Sequence, residues 1–428
     1  MSGHVFISYS RTDTSYVERL VAHLAAAGVP VWVDHKIDHG DRWASVIEAQ
    51  INSCVAFVPV MTPEAAASEW VEREIHFAQQ LGKPILPLLL SGRPFFRLGT
   101  TQHEDVTGTG MPTAKFIERL LACLGTQPPS APDLAISPAW AYDVGGVWSL
   151  AYSPTGRELA SGGADGVIRV WNTYTGVSLR TLASPGGPVL DIAYSPGGRQ
   201  FATGSESGQV YLQDVFDGAL IRTLSGHEAN VGSLAYSPTG RHLATASSDG
   251  TARVWDASTG ATLVTFADHE DLVVGVSYSP DGRHVASVSF DDTARVWSAT
   301  DGSPIRVLVQ EGLLQDTVYS PDGRLATGGD DATIRIWDVT AGTALLELDV
   351  GHNGMESLAF SPDGRLIAAG SGWGEGTVHI WDAMLGLPLA AFAGHPDSVP
   401  AVAFSPDGRH LASASTDGFR VWDIGQAA

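Results

Sequence analysis

Cysteine is nearly missing from this chain. Cys54 and Cys123 are the only two in 428 residues, too few for the disulfide frameworks that staple small secreted domains. Lysine is as scarce, confined to Lys36, Lys83 and Lys115, and no run of basic residues occurs. With a net charge of −22 the surface repels nucleic acid and anionic lipid. Neither is an expected partner; the expected partner is a protein. No apolar stretch approaches the roughly 18 residues of a spanning helix, and Ile85–Leu90 is broken by Pro87. The Met1 end has neither the basic nor the apolar region of a secretory signal, which points to the cytoplasm. Also missing are a glycine-rich phosphate loop and any ligand spacing typical of a metal site, so no resident cofactor and no metal are expected.

What the chain does have is repetition. Ser-Pro-x-Gly occurs at Ser153, Ser195, Ser237, Ser279, Ser320, Ser361 and Ser405, at intervals of about 42 residues. The first third contains no copy. Ten Lys and Arg face thirteen Asp and Glu within residues 1–126, so the acidity belongs almost wholly to the repeats. The third unit is the clearest: Val231–Ser237, His242–Ser247, Thr251–Asp256 and Thr262–Phe266 are four short alternating runs. Proline at the second position and glycine at the fourth of Ser-Pro-Thr-Gly suit a tight turn, and Asp249-Gly250 is a strong hairpin signal. Each unit therefore reads as a small antiparallel sheet.

The units resemble the WD-repeat family, through Trp171-Asn172, Trp255-Asp256, Trp297-Ser298, Trp337-Asp338, Trp381-Asp382 and Trp422-Asp423. The second unit departs, with Gln213-Asp214 in that place. A Gly-His pair is intact at His227, His352 and His395, partial at Asp268-His269 and missing from the other three units. The resemblance implies a buried hydrogen-bonded set of His, hairpin Asp and Trp, complete in His227, Asp249 and Trp255 and in His395, Asp417 and Trp422. The other blades are expected to rely more on packing. Seven units imply an all-β seven-bladed propeller over 133–428. Its last unit runs out of chain before an outer strand, which is expected from Ala135–Trp140; residues 126–132 are the expected linker.

Residues 1–125 change pattern. Val5–Tyr9, Val29–Val33, Val55–Val60 and Pro84–Leu90 read as strands, alternating with helices over Thr14–Ala27, Trp43–Asn52 and Ala65–Leu81 and closed by Phe116–Leu124. Ser91–Met111 leaves room for a short fifth strand. This order means a parallel sheet covered on both faces. The sequences Val5–Asp13, Gly28–Asp34 with Gly40–Trp43, and Ser68–Ile75 with Gly82–Pro87 resemble, in order, the motifs of the Toll/interleukin-1 receptor (TIR) domain family. The resemblance implies a flavodoxin-like α/β fold with strand order 2-1-3-4-5. That order puts a topological switch point between strands one and three, where ligands bind at the carboxyl ends.

Ser8–Asp13 and Met61–Ser68 emerge there, and the latter runs into the helix carrying Trp70 and Glu74, which share a face at i, i+4. Enzymatic TIR domains cleave the nicotinamide–ribose bond of NAD⁺ with a glutamate at the position of Glu74. One carboxylate suffices, because nicotinamide leaves as a neutral base and needs no general acid. By the resemblance Glu74 is the catalytic residue and Trp43 stacks on the substrate NAD⁺; Trp70, on the face of Glu74, reads as a wall of the nucleotide pocket, and Ser8 and Arg11, following strand one, as contacts to its ribose or phosphate. Plainer roles stand beside these: Glu74 paired to a cation such as Lys83, Trp70 or Trp43 in the core, Ser8 bonded to backbone, Arg11 on the surface. The resemblance further implies activation by self-association of TIR domains through the Asp34–Arg42 loop, a linear or cyclic ADP-ribose product, regulation by the propeller and a setting in bacterial antiviral immunity. The alternative is a non-enzymatic signalling adaptor whose propeller binds protein.

Overall fold

Val5–Ser8 (β1) is four buried residues in a row, as a strand covered on both faces requires. In the computed structural model, which describes residues 4–33, 43–93, 98, 103–107, 110–124, 139–351 and 354–424, β1 pairs in parallel with Val31–Val33 (β2) on one side and Ala56–Met61 (β3) on the other. Leu88–Leu89 (β4) and Glu104–Asp105 (β5) extend the sheet to the order β2-β1-β3-β4-β5. The helices are α1 (Thr14–Ala26), α2 (Trp43–Ser53), α3 (Pro63–Ala66), α4 (Glu69–Gln80) and α5 (Ala114–Cys123). Alternate residues of β1 serve opposite faces: Val5 and Ile7 join Val17, Leu20 and Ile117 in one core, and Phe6 joins Ile51, Val71 and Ile75 in the other. The fold is the expected flavodoxin-like one.

Two elements differ from expectation. The helix expected over 65–81 is two, because Thr62 caps α3 and Ser68 caps α4, each side-chain oxygen accepting from a backbone N–H. The strand expected over 84–90 is reduced to β4 and a bridge between Phe57 and Ile85, since Pro84 and Pro87 remove ladder donors. The chain divides into two compact units near residue 130. No helix among the described residues is long and apolar enough to cross a membrane.

The second unit is seven four-stranded antiparallel sheets, numbered here as blades 1 to 7. The outer strand of blade 7 is Trp140–Tyr142 (β6), paired with Phe419–Val421; of the segment expected to close the ring, residues 135–138 lie outside the described residues. Each Ser-Pro-x-Gly closes with a bond such as Gly240 N to Ser237 O at 2.8 Å, and the glycine takes a positive φ, near +70 in six of the seven and +93 at Gly323, which a Cβ disfavours. In every turn but that of Gly323 it also sits against the proline of the preceding blade: a Cβ on Gly240 would lie 3.3 Å from Pro196 Cδ.

The polar set in blade 3 contains a residue that the sequence reading missed. Trp255 Nε1 donates to Thr245 Oγ1 at 2.9 Å, Thr245 Oγ1 lies 2.7 Å from His227 Nε2, and His227 Nδ1 lies 2.8 Å from Asp249. The hydroxyl links indole to imidazole. A neutral imidazole protonated on Nδ1 satisfies all three bonds, and burial pushes the His227 pKa down. Blade 7 repeats this with His395, Asp417, Ser413 and Trp422. The reading that other blades lean on packing needs correction. Blade 4 has the full set in His269, Asp291, Ser287 and Trp297. In blade 5 Gln310 replaces the imidazole, accepting from Thr327 Oγ1 at 2.6 Å and donating to Asp331, because an amide offers the same acceptor and donor. His352 of blade 6 lies outside the described residues. In blade 2 the Thr203 hydroxyl, 1% exposed, has no partner.

Thr245→Val leaves an indole N–H and an imidazole nitrogen unpaired, so it is expected to destabilise the propeller by about 2–4 kcal/mol. Thr203→Val removes a hydroxyl already unpaired and is expected to change stability by less than about 1 kcal/mol. Chemical denaturation of the two variants, followed by tryptophan fluorescence, checks the contrast.

Candidate active site

Ser8 follows Phe6 by two residues and so shares its face of β1. Phe6 stacks on Trp32 and Phe57 at 4.9 and 5.4 Å and packs in one cluster with Val71 and Ile75 of α4. Ser8, 1% exposed, therefore comes to lie beneath α4. Its Oγ donates to Glu74 Oε2 at 2.5 Å, a short bond of the charge-assisted kind. Glu74 itself is half-buried. The bond replaces the backbone contact that was the plainer reading of Ser8.

Trp70 is one turn before Glu74 and is 48% exposed, which rules out the core role. The Arg73 guanidinium lies 5.2 Å from its ring centre. Lys83, the cation considered as a partner for Glu74, instead donates to the carbonyls of Asn52 and Cys54 at 2.7 and 2.8 Å. Arg11 is exposed on the short helix Arg11–Asp13 that precedes α1, and no described contact brings it to Ser8 or Glu74. Trp43 opens α2, and its side chain lies outside the described ones, as do residues 34–42. Cys54 is buried, with its thiol pKa pushed up by that burial; it serves as a small apolar residue.

A second link crosses the switch point. Thr62 follows β3 and Asp13 follows β1, and Thr62 Oγ1 donates to Asp13 Oδ2 at 2.8 Å while accepting from Ala65 N at 3.1 Å. Burial pushes the Asp13 carboxyl above its usual range, against the pull of the Thr62 hydrogen bond. The sequence reading did not single out either residue. Thr62-Pro63-Glu64 carried the signal: a capping hydroxyl, a proline at the first helical position and an acid in the first turn.

The arrangement is a carboxylate fixed by a hydroxyl at the carboxyl end of β1, with an exposed indole on the same helix face. A carboxylate is a group that can accept from hydroxyls of a ligand or stabilise a developing positive charge. A family model for the TIR domain matches residues 5–121. A second, for the WD domain, G-beta repeat, matches seven successive segments: 142–172, 176–214, 218–256, 260–298, 303–338, 343–382 and 386–423. The chain belongs to the WD-repeat family and opens with a TIR domain. No curated protein matches it. TIR domains self-associate and WD propellers bind proteins, so both parts of this WD-repeat protein are of kinds used in signalling and scaffolding.

Thr62→Val removes both the cap of α3 and the donor to Asp13, and is expected to destabilise the TIR domain by about 2–3 kcal/mol. Thr62→Ser keeps the oxygen and is expected to lose less than about 1 kcal/mol. Urea unfolding followed by circular dichroism at the helix band distinguishes the two.

Proposed function

We propose that the TIR domain hydrolyses NAD⁺ at the nicotinamide–ribose bond, with Glu74 as the catalytic residue. The observation that carries this reading is the Ser8–Glu74 hydrogen bond at the switch point. The C–N bond breaks with its electron pair going to nicotinamide, which departs neutral and unprotonated. Water then attacks the ribosyl carbon and releases its proton to solvent, giving ADP-ribose. Glu74 accepts hydrogen bonds from the ribose hydroxyls and offsets the positive charge that develops on the sugar. Ser8 occupies one side of the carboxylate and fixes its direction, so it is a positioning residue. Trp70 offers an apolar face to the nucleotide.

TIR self-association completes the pocket in this reading, and the propeller sets when association occurs; bacterial immunity by NAD⁺ depletion is the setting that fits. An adaptor would need the TIR surface alone, with no use for a carboxylate oriented from beneath.

Full-length protein incubated with NAD⁺ and a clustering agent is expected to release nicotinamide, read by liquid chromatography. Glu74→Gln should slow release at least about 100-fold. Ser8→Ala should lower kcat by about 10-fold with little change in KM. Clustered wild-type protein that releases none, or Glu74→Gln that matches it with circular dichroism unchanged, would sink the proposal.

A further inference from the structure

Three side chains close on one another in the groove between blades 1 and 2. Arg180 Nη2 donates to Glu158 Oε2 at 2.5 Å, and Tyr194 Oη donates to the same oxygen at 3.3 Å. Arg180 also reaches the Val215 carbonyl in blade 2 with Nε at 2.9 Å. The chain thus builds a carboxylate clamp and fills it with its own glutamate.

The groove between blades 4 and 5 repeats the clamp without the carboxylate. His284 stands where Glu158 does, each pairing with the last residue of its neighbouring strand, Ser298 and Asn172. Arg306 matches Arg180, opposite Val296 and Val170. Tyr319 matches Tyr194, opposite Leu325 and Phe201. Arg306 donates to the carbonyls of Ile305 and Thr340 at 3.0 and 2.8 Å, and no carboxylate among the described residues pairs with it. Tyr319 is 9% exposed and its hydroxyl has no hydrogen-bond partner, as holds also for the matching hydroxyls of Tyr152, Tyr236 and Tyr278; at Tyr319 the free donor stands beside Arg306 in an open cleft.

The blades also part here. The turn of blade 5 is one residue short, with Ser320 N bonded to Arg324 O, whereas Ser279 N reaches five residues on to His284 O. In the other six turns the glycine lies against the preceding proline, including Gly156 on Pro406 across the ring closure; a Cβ on Gly323 would meet nothing within 4 Å. A cleft of about 490 Å³ opens, lined by His284, Arg306, Tyr319 and the two turns. The acids of those turns are already engaged: Asp281 accepts from Ser279 Oγ at 2.6 Å and Arg283 N at 3.0 Å, and Asp322 pairs with Arg324 at 2.9 Å. Arg306 and Tyr319 are the donors left over. The groove between blades 2 and 3 holds a similar pair, Arg222 and Tyr236, but there Gly240 still sits on Pro196 and the turns stay in contact.

We infer that the cleft between blades 4 and 5 binds a carboxylate from outside the chain, which accepts from Arg306 and Tyr319 as Glu158 accepts from Arg180 and Tyr194. This holds whatever the TIR domain does. The carboxylate comes either from a polypeptide partner or from a free small acid, and two probes separate them.

Binding to the full-length protein is measured by ligand-observed NMR for acetyl-Ala-Glu-Ala-amide and for glutarate, each against its neutral amide counterpart. Each site-matched acid is expected to bind at least about 10-fold more tightly than its amide. Arg306→Leu and Tyr319→Phe should each weaken binding at least about 5-fold. His284→Glu supplies the carboxylate from within, so it should abolish binding and raise the propeller's Tm by about 2–4 °C, a gain that Arg306→Leu cancels. Tighter binding of the peptide assigns a polypeptide partner, and tighter binding of glutarate assigns a free acid; either result supports the inference. Equal binding of acid and amide, or His284→Glu that leaves binding intact or lowers Tm, overturns it.

Discussion

A ring of sheets holds together only if its first and last members are joined, and here three residues make the join. Trp140–Tyr142 adds the outer strand that blade 7 lacks, with Ala139 N reaching Val421 O at 2.7 Å. The Tyr142 ring lies between Trp171 of blade 1 and Phe419 of blade 7, at 4.6 and 5.2 Å, and its hydroxyl bonds the Gly176 carbonyl. Space for this exists because residue 418 is glycine: a Cβ there would fall 1.8 Å from Tyr142 O. The apolar cluster behind the join takes Val147, Leu159 and Trp171 from one blade and Ala412, Phe419 and Val421 from the other. Each blade buries its face only against a neighbour, so opening the ring anywhere forfeits a whole interface.

The repeats are not equally strong within, and the inner strands compensate for it. Blade 2 has Gln213 for tryptophan, and its Thr203 hydroxyl and Gln213 Oε1 are unpartnered. Yet the same blade carries Asp191, which accepts from Ser149 Oγ in blade 1 at 2.6 Å and from Leu234 N in blade 3 at 2.7 Å. One carboxylate ties three blades. Asp316 of blade 5 binds Leu358 N of blade 6 in the same way at 2.7 Å. Burial pushes these two acids up to about 6 and about 7, while the donors aimed at them pull the other way. The blade with the poorest internal network is thus held from both sides.

Period, turn chemistry and element order made both folds legible, because each is written locally and repeated. Partnerships between elements were not. Thr245, Ser287 and Ser413 read as ordinary strand hydroxyls until the pleat sets them between an indole and an imidazole. Gln310 shares nothing with histidine in a pattern of letters, only a donor and an acceptor at similar reach. The site was half legible: Trp70 and Glu74 share a face by helical spacing, and Ser8 shares one with Phe6 by strand alternation. That the two faces meet depends on where α4 crosses β1, which buried Val71 and Ile75 decide. The break at Thr62 and Ser68 escaped notice because the alanines between them are good helix formers, and capping outweighs propensity at helix ends.

Ser8 itself carries the strongest physical argument about the site. It ends a strand whose other three residues, Val5, Phe6 and Ile7, are apolar and fully buried. A hydroxyl at such a position costs about 1–3 kcal/mol if unpaired, whereas alanine there would cost nothing in polar desolvation. The bond to Glu74 removes the penalty, but stability alone gives no reason to incur it, since replacing both partners with apolar groups of similar shape is close to neutral. What the pair adds is direction: one carboxylate oxygen is held from a rigid strand, at the end of β1. A helix carboxylate free to turn in solvent would lose that orientation before any ligand arrived, and it is orientation fixed in advance that lets a single charge stabilise a developing cation.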